Sequence, residues 1–342
     1  MFTSYRALGL AVGYPGVRAD LTLELAEAAE RAGFGIVSCG DSIVETFSTL
    51  GAVAARTSHV ELFAAIATWT RTPVTAALAA TTLADIAHGR FSMGLGTMPK
   101  DWSEGWHDIS YVKPVERMRD YVAAIRAAMT AAPGAPITHS GPFYSIPSYA
   151  RIAPPPPYRV PIYLSPTRVG MAELTGEIAD GAILNATHTV GYLEDVQLPA
   201  IARGLARSGR TRDDVDLGQM VFTSISDNEQ EALDWARPSL AFYFPVPYWQ
   251  DILRHGGWHD ELEAGVAAAA RGDFAGMLAA TTDEIVRACT LSGTPDQVRA
   301  AANRYEGLID WPLFTAPLGL PPEVSQPIAD RIVETFTTAG AA

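Results

Sequence analysis

The stretch GRFSMGLGTMPKDWSEGWH, from Gly89 to His107, decides between two α/β folds. Its apolar part ends in Gly94 and Gly96, and a dinucleotide-binding loop of the form G-x-G-x-x-G would need a third glycine where Pro99 stands. Such a loop would also lead directly into a helix whose N-terminus binds the pyrophosphate, whereas the next helical pattern begins roughly 18 residues after Gly96. We therefore exclude dinucleotide binding and expect these glycines to let a strand end pack closely against a flat partner.

Short apolar runs alternate with helical patterns along the chain. The run VELFAAIAT at 60–68 is apolar almost throughout, which is typical of a parallel strand covered on both faces. The predicted strands are 7–12, 34–39, 60–68, 91–96, 161–165, 181–185, 216–223 and 308–317. Because eight strands alternate with helices, the sequence predicts an α/β fold, a single (β/α)8 TIM barrel over residues 1–342, rather than a doubly wound sheet.

Two long segments interrupt this alternation. Residues 133–160, after the fourth helix, are rich in proline, and residues 238–292, after the seventh strand, contain SLAFYFPVPYW followed by short helical patterns. Segments of this length usually serve as lids or interfaces. We expect the second insertion to be a lid whose aromatic side chains exclude water from the barrel mouth.

Charge and composition exclude several classes of protein. The net charge of −13 and the sequence pI of about 4.9 leave no basic surface for nucleic acid, and 48% apolar residues suffice for a large core. No apolar run approaches the ~18 residues of a membrane span, and the first residues lack the pattern of a signal peptide. We therefore expect a cytoplasmic protein. Its cysteines, Cys39 and Cys289, have neither C-x-x-C nor zinc-binding spacing.

Four blocks of sequence occur in the order seen in one enzyme superfamily. They are residues 68–91 (TWTRTP to GRF), the FSMGLG strand with the following EGWH and RMRDY segments, residues 161–185 (PIYLSPTRVG to GAILN) and residues 291–305 (LSGTPDQVRAAANRY). The chain resembles the luciferase-like superfamily of flavin- and deazaflavin-dependent oxidoreductases. The resemblance implies a barrel in which a flavin-type ring lies across the C-terminal ends of the strands.

This resemblance implies either coenzyme F420 or FMN as the cofactor and a small organic molecule as the substrate. The EGWH and RMR variants favour hydride transfer with F420, and the alternative is an FMN-dependent monooxygenase. It also implies a homodimer, which agrees with alanine-rich helical patterns at 46–57 and 73–87, because small side chains let helices approach closely.

The resemblance places the cofactor phosphate on the loop after the fifth predicted strand. That loop ends at a predicted helix N-terminus, where free N–H groups and the helix dipole attract an anion, and Arg168 and Thr167 can add polar contacts. The usual glycine–proline pair of the family is replaced here by Arg168 and Val169. A cis peptide is expected near Ala64–Ile66, and Trp69 is expected to face the ring. The predicted cofactor-binding residues are Ala65, Trp69, Thr97, Ser165, Thr167, Arg168, Val169 and Gly170.

Proton transfer is assigned first to His107 in the EGWH segment. Histidine titrates near neutral pH, and Glu104 would orient it or the substrate if a shared helical turn put both on one side. Asp41 is the second choice. Many deazaflavin enzymes have histidine directly after this aspartate, whereas this chain has Ser42.

Two further classes stay open on the sequence. One is a metal-dependent barrel hydrolase with ligands from Asp41, Glu104, His107 and His188, although no H-x-H or H-E-x-x-H pair exists and we predict no metal site. The other is a barrel that binds a flavin without catalysis. The remaining histidines His59, His88 and His139 lie away from strand ends, so a structural or solvent-exposed position is expected for them.

Overall fold

A computed structural model describes residues 5–13, 18–41 and 44–337. Eight parallel strands form a closed barrel because the first pairs with the last and the sixth with the seventh. They are β1 (Gly9–Ala11), β2 (Ile36–Cys39), β3 (Glu61–Thr68), β4 (Phe91–Gly96), β7 (Ile162–Leu164), β8 (Gly181–Leu184), β9 (Asp216–Ile225) and β11 (Trp311–Thr315). The predicted (β/α)8 barrel is confirmed, and each strand lies within or close to its predicted run.

Helices surround the barrel. Thr72 caps α3 and Pro73 occupies its first turn, while Thr294 and Gln297 form a reciprocal capping box on α14. The helices are α1 (Ala19–Arg31), α2 (Thr46–Ala54), α3 (Pro73–Ile86), α4 (Lys100–His107), α5 (Pro114–Thr130), α6 (Val169–Ile178), α7 (Val190–Tyr192), α8 (Leu198–Ser208), α9 (Glu229–Ala241), α10 (Pro247–His255), α11 (His259–Ala270), α12 (Phe274–Ala280), α13 (Asp283–Cys289), α14 (Pro295–Ala302) and α15 (Pro322–Phe336). A π-helical turn, Leu193–Gln197, joins α7 to α8.

Helix α4 corrects one expectation. It begins four residues after Gly96, where the sequence pattern predicted no helix. In the segment KDWSEGWH the large apolar side chains, Trp102 and Trp106, stack on each other at 4.3 Å, and one buried side chain, Ser103, secures the helix to the layer beneath. The distance from Gly96 to the next helix was therefore a wrong argument against dinucleotide binding. The conclusion itself holds, because the strands close into a barrel.

The two insertions have secondary structure of their own. Residues 133–160 contain the antiparallel hairpin β5 (Ile137–Ser140) and β6 (Ser145–Tyr149). The carboxylate of Asp120 on α5 holds this hairpin through the His139 ring, at 2.6 Å, and the backbone N–H of Phe143, at 2.7 Å. His139 is thus structural, as expected.

Residues 238–292 span the end of α9, the four helices α10–α13 and the first part of β10 (Leu291–Gly293), which pairs with β9 outside the barrel. Their apolar side chains form a second core with residues from the barrel. Phe244, Trp249 and Ile252 are fully buried there with Phe222 of β9 and Tyr192 of α7. The insertion therefore packs onto the barrel beside β8 and β9.

A polar cluster closes the N-terminal end of the barrel. Asp216 accepts hydrogen bonds from the Tyr163 hydroxyl at 2.8 Å and the Trp311 indole at 2.7 Å, and it pairs with Arg6 at 3.0 Å. Arg6 also pairs with Glu61 at 2.9 Å. These residues lie at the start of their strands or before them, so the opposite end is the one available for chemistry.

Candidate active site

The glycines of β4 make room for the backbone of β3. A Cβ on Gly94 would lie 2.2 Å from the carbonyl oxygen of Ala64, and a Cβ on Gly96 would lie 1.9 Å from Cδ1 of Ile66. Both distances are far below van der Waals contact. The close approach predicted for these glycines is present, but it is made to the main chain of Ala64 and the side chain of Ile66 and not to a flat partner.

The peptide between Ala65 and Ile66 is cis, at the position predicted for it. Gly40, at the end of β2, faces this peptide from the other side, because a Cβ there would lie 2.5 Å from the Ala65 carbonyl oxygen. The backbone N–H of Asp41 donates to the Ile66 carbonyl oxygen at 2.8 Å. Main-chain atoms of β2, β3 and β4 therefore form one side of the barrel mouth.

Asp41 lies in a polar network at this rim. Its carboxylate accepts from the backbone N–H groups of Thr68 at 2.9 Å and Thr46 at 3.2 Å, and from the Arg71 guanidinium at 3.0 Å. Arg71 is also paired with Glu45. Burial by itself would raise the pKa of Asp41, but hydrogen bonds from Arg71 and the charge of that residue outweigh it and hold the pKa below its usual value.

Asp41 is therefore an ionised group tied to Arg71, with only 11% of its side chain exposed. An ionised carboxylate in this position can anchor the rim or accept hydrogen bonds, but it has no proton to donate. Ser42 lies outside the described residues.

Trp69 supports α4 from beneath. Its indole N–H donates to the Ser103 hydroxyl at 3.3 Å, and Ser103 donates to the Ile109 carbonyl oxygen at 3.0 Å. The Arg117 guanidinium lies 4.9 Å from the centre of the indole ring, and the Tyr111 ring lies 5.4 Å away. Only 1% of Trp69 is exposed, because its ring packs among Ser103, Tyr111 and Arg117, and the expectation that it faces a cofactor ring stays a prediction. The sequence indicated that Trp69 directly follows a strand, but it did not indicate that α4 covers the Trp69 ring.

Helix α4 carries both residues of the predicted proton-transfer pair. Glu104 and His107 are exposed, three residues apart on one helix, which meets the condition set for their cooperation. Glu104 accepts from the backbone N–H of Tyr111 at 3.0 Å, and the Thr97 hydroxyl lies 3.3 Å from the Tyr111 hydroxyl. Within the described ranges no hydrogen bond joins Glu104 to His107.

The loop from Ser165 to Gly170 leads from a barrel strand into the N-terminus of a helix. It follows β7 and ends at α6, whose N-cap residue Arg168 has an extended backbone and makes no side-chain capping bond. Arg168, Val169 and Gly170 are exposed, so the first N–H groups of α6 are accessible. Residues 165–170 therefore fit a cofactor phosphate.

Arg168 and Thr167 connect this loop to its neighbours. The Arg168 guanidinium lies 3.4 Å from the Asp251 carboxylate on α10, and the Thr167 carbonyl oxygen accepts from the Gln197 side chain at 3.3 Å. The loop is thus held by contacts with α10 of the insertion at 238–292 and with the π-helical turn.

His188 occupies a position that sequence reasoning did not anticipate. It follows β8, none of its surface is exposed, and its ring centre lies 5.4 Å from that of Tyr192. Complete burial lowers the pKa of His188 to about 3. The stretch GAILNATHT contains no local signal for burial of the histidine.

The four residues of the hydrolase alternative are not gathered into a metal site. In the part of the chain that the structure describes, no three His, Cys, Asp or Glu side chains lie together as metal ligands would. Asp41 is engaged by Arg71, and His188 is buried against Tyr192. The hydrolase alternative therefore gains no support from the geometry.

Comparison with known proteins agrees with the barrel and its mouth. The pattern of the luciferase-like monooxygenase family matches residues 2–310, so the chain belongs to that family. An uncharacterized protein of Mycobacterium tuberculosis is 33% identical over 304 residues, which cover 86% of this chain and 89% of the relative. The 5,10-methylenetetrahydromethanopterin reductase of Archaeoglobus fulgidus is 30% identical over 230 residues, which cover 66% of this chain and 67% of the relative.

Solved structures share the fold. The coenzyme F420-dependent tetrahydromethanopterin reductase of Methanopyrus kandleri aligns with a TM-score of 0.81 and 20% identity, covering 96% of this chain and 99% of the other. The FMN-containing oxygenating component of 3,6-diketocamphane monooxygenase from Pseudomonas putida aligns with a TM-score of 0.67 and 16% identity, covering 97% and 98%. Proteins similar to this chain thus use F420 or FMN.

The structure adds one fact about membranes. Among the described residues, no helix combines the length and the apolar character that crossing a bilayer requires.

Proposed function

We propose that the protein is an oxidoreductase that uses coenzyme F420 to transfer hydride to or from a small organic substrate. The observation that carries this proposal is the open N-terminus of α6 beside Arg168, at the C-terminal end of the barrel strands. Two relatives support the choice of F420: the Archaeoglobus reductase, and a putative coenzyme F420-dependent oxidoreductase of Mycobacterium tuberculosis, 27% identical over 317 residues.

The residues at the mouth fit such a cofactor. The phosphate would be held by the backbone N–H groups of Val169 and Gly170 and by the side chains of Ser165, Thr167 and Arg168. Ala65 and Thr97 border the main-chain wall where a flat ring would lie. A bound reduced deazaflavin supplies a hydride to its substrate.

His107 is proposed as the residue that gives or takes a proton at an imidazole nitrogen, with Glu104 beside it. Both side chains are exposed on α4, which begins just beyond the end of β4. Asp41 is proposed as an ionised anchor that fixes the rim through Arg71 and Thr68. Trp69 then contributes indirectly, by supporting α4 through Ser103.

Residues 238–292 are proposed as a cover over the mouth, as their aromatic content suggested. Their buried core with Tyr192 and Phe222 fixes them beside β8 and β9.

We also propose that two copies of the chain associate through α2 and α3. Leu78 and Ile86 of α3 are 41% and 45% exposed, so this helix has large apolar side chains available for contact with a second copy.

FMN is the second candidate cofactor. The same loop serves either phosphate, and the net charge of −13 does not favour the longer anionic tail of F420. Titration of the purified full-length chain with each cofactor, followed by the quenching of protein fluorescence, separates the two. We expect F420 to bind at least about tenfold more tightly than FMN, a difference of about 1.4 kcal/mol, and the reverse order would reject the F420 assignment.

A further inference from the structure

Gln197 is a buried polar side chain directly beneath the loop at 165–170. It ends the π-helical turn between α7 and α8, and none of its surface is exposed. Its Nε2 donates to the Thr167 carbonyl oxygen at 3.3 Å, while its Oε1 makes no hydrogen bond within the part of the chain that the structure describes. A buried amide oxygen without a partner costs stability. Because an apolar side chain of the same length would avoid this cost, the function of Gln197 must lie in its N–H groups.

The backbone around Gln197 departs from a regular α-helix for a reason visible in the sequence. The N–H of Leu198 donates to the carbonyl oxygen of Leu193, five residues earlier, which is the π-helical bond. Pro199 follows at once and has no N–H, so it cannot make the bond to Asp195 that a regular α-helix would require. Such π-helical turns are frequent at functional sites.

Helices α6 and α8 are packed against each other at main-chain distance. A Cβ on Gly176 of α6 would lie 2.1 Å from the carbonyl oxygen of Ile201, and a Cβ on Gly204 of α8 would lie 1.9 Å from that of Glu173. The loop at 165–170 leads into α6, and Gln197 directly precedes α8. Both ends of the bond between Gln197 and Thr167 are therefore attached to one closely packed pair of helices.

This bond decides which way the peptide between Thr167 and Arg168 faces. Its carbonyl oxygen is directed toward the fully buried Gln197, and hence toward the protein interior. The N–H of a trans peptide points opposite to its carbonyl group, so the N–H of Arg168 is directed toward the exposed side of the loop. Within the described ranges, the N–H groups of Arg168, Val169 and Gly170 have no main-chain acceptor.

We infer that Gln197 is a positioning residue of the phosphate site, which keeps the Thr167 carbonyl oxygen away from the bound anion and thereby presents the N–H of Arg168 to it. Successive main-chain N–H groups that face one side form an anion-binding concavity. Without the bond from Gln197 the peptide is free to rotate, and a carbonyl oxygen turned outward would repel the phosphate. The inference rests on the proposed function, because it takes the loop at 165–170 as the phosphate site.

The competing explanation is that Gln197 only supports the packing of the loop. Its replacement would then weaken the binding of every ligand at the mouth to the same extent, whether or not the ligand has a phosphate. The two explanations are separated by a ratio, namely the dissociation constant of a phosphate-free ligand divided by that of its phosphate-bearing counterpart. Riboflavin and FMN form one such pair, and the phosphate-free riboside of F420 and F420 itself form the other.

Gln197→Met keeps the length of the side chain and removes the donor. In fluorescence titrations of the full-length chain, the ratio should fall about tenfold from its wild-type value, as expected for one hydrogen bond to a charged group. The phosphate-free ligand should bind as it does to the wild type, which also shows that the variant is folded. Gln197→Leu removes the same donor from a shorter side chain and should lower the ratio equally.

Gln219 of β9 provides a matched control. It is also fully buried, its Nε2 donates to the Asn185 carbonyl oxygen at 2.6 Å, and its Oε1 is likewise unpaired among the described residues. Its bond is made to the main chain after β8 and not to the loop at 165–170. Gln219→Met therefore loses a comparable buried hydrogen bond and should leave the ratio unchanged.

Inorganic phosphate supplies a second measurement that needs no ring. It should compete with the cofactor for the wild type, and about tenfold more of it should be needed with Gln197→Met. An unchanged ratio in Gln197→Met and Gln197→Leu, or an equal fall in Gln219→Met, would overturn the role of Gln197 alone. A wild type that binds both members of each pair equally and ignores inorganic phosphate would reject the phosphate loop itself, and the inference with it.

Discussion

Arg168 and Asp251 form an ion pair of 3.4 Å that joins the loop before α6 to helix α10 of the insertion. The pair is half-exposed, with 57% and 42% of the two side chains accessible, so its own contribution to stability is small, at most about 1 kcal/mol. The ion pair matters because we propose that the same guanidinium binds the cofactor phosphate. Phosphate and Asp251 therefore compete for Arg168.

Two substitutions at this pair should change cofactor affinity in opposite directions. Arg168→Ala removes a charge-assisted contact and should weaken F420 binding by about 1.5–3 kcal/mol. Asp251→Asn releases the guanidinium and should strengthen binding a few-fold. Both are measured by fluorescence titration, and an unchanged dissociation constant for Arg168→Ala would remove the side chain from the phosphate site.

The two glycines of β4 should respond differently to the same substitution. In Gly94→Ala the new Cβ meets a main-chain oxygen, which cannot move aside, so we expect a loss of about 1–3 kcal/mol or more in the free energy of unfolding. In Gly96→Ala the Cβ meets only the flexible end of Ile66, and the loss should stay below about 1.5 kcal/mol. Urea denaturation measures both.

Gly51 of α2 is the matched control, since a Cβ there meets nothing within 4 Å. Gly51→Ala should stabilise the protein by about 0.5–1 kcal/mol through helix propensity. Equal losses for Gly94→Ala and Gly96→Ala would contradict the distinction between main-chain and side-chain neighbours.

His107 is tested by its effect on turnover. If it gives or takes the proton, His107→Gln should lower kcat by about 10²–10⁴-fold and leave the cofactor dissociation constant nearly unchanged. His59→Gln, at a side chain that is 88% exposed and lies beside Glu30, serves as the control. Turnover close to that of the wild type would show that the proton comes from another group.

The buried His188 should make the protein acid-sensitive in a defined window. Its pKa is about 3 in the folded state, against an ordinary value near 6.5, so the unfolded chain binds one more proton between these values. Stability is therefore unaffected by this residue above pH 6.5 and falls as the pH drops toward 3, by up to about 1.4 kcal/mol per pH unit. His188→Phe should lack this component.

The comparison uses urea denaturation of both proteins from pH 8 to pH 4. Asp41 and other carboxylates with lowered pKa also destabilise the fold on acidification, but they act alike in the wild type and the variant. A constant difference between the two proteins over this range would mean that His188 does not titrate as its burial requires.

The proposed dimer is tested by substitution on α3. The wild type should scatter light as twice its chain mass of 36.5 kDa. Leu78→Glu places a charge on the exposed apolar surface of α3 and should shift the protein toward the monomer, while Phe274→Glu, at an equally exposed apolar residue of α12, should not. A monomeric wild type at micromolar concentration would reject the dimer.

Much of the fold could be predicted because the signal is local. Continuous apolar runs such as 60–68 and 91–96 are long enough to identify buried parallel strands, and their number points to a barrel. Helix α4 escaped prediction because it has only eight residues and its position depends on contacts with residues outside it, such as those of Ser103 with Trp69 and of Glu104 with Tyr111.

The site was harder to predict because its interactions join distant parts of the chain. Asp41 is bound by Arg71, 30 residues later, and this partner decides its charge. His188 packs against Tyr192, which in turn contacts His255 of α10, and no local pattern around Asn185 or Thr187 indicates this packing. By contrast, the loop at 165–170 could be proposed as an anion site from the sequence alone, because such a site at a helix N-terminus is built from consecutive residues.

The wall that Gly40, Gly94 and Gly96 create beside residues 64–66 has an evolutionary consequence. At that height the wall consists of the main chain of Ala64 and Ala65, against which Gly94 and Gly40 pack, and of the Ile66 side chain, against which Gly96 packs. Substitutions there can harm the fold but offer few ways to change what is bound. Divergence in substrate choice within this architecture must then come from the outer parts, namely α4, the loop after β8 and residues 238–292, so the chemistry can be inherited while its target is exchanged.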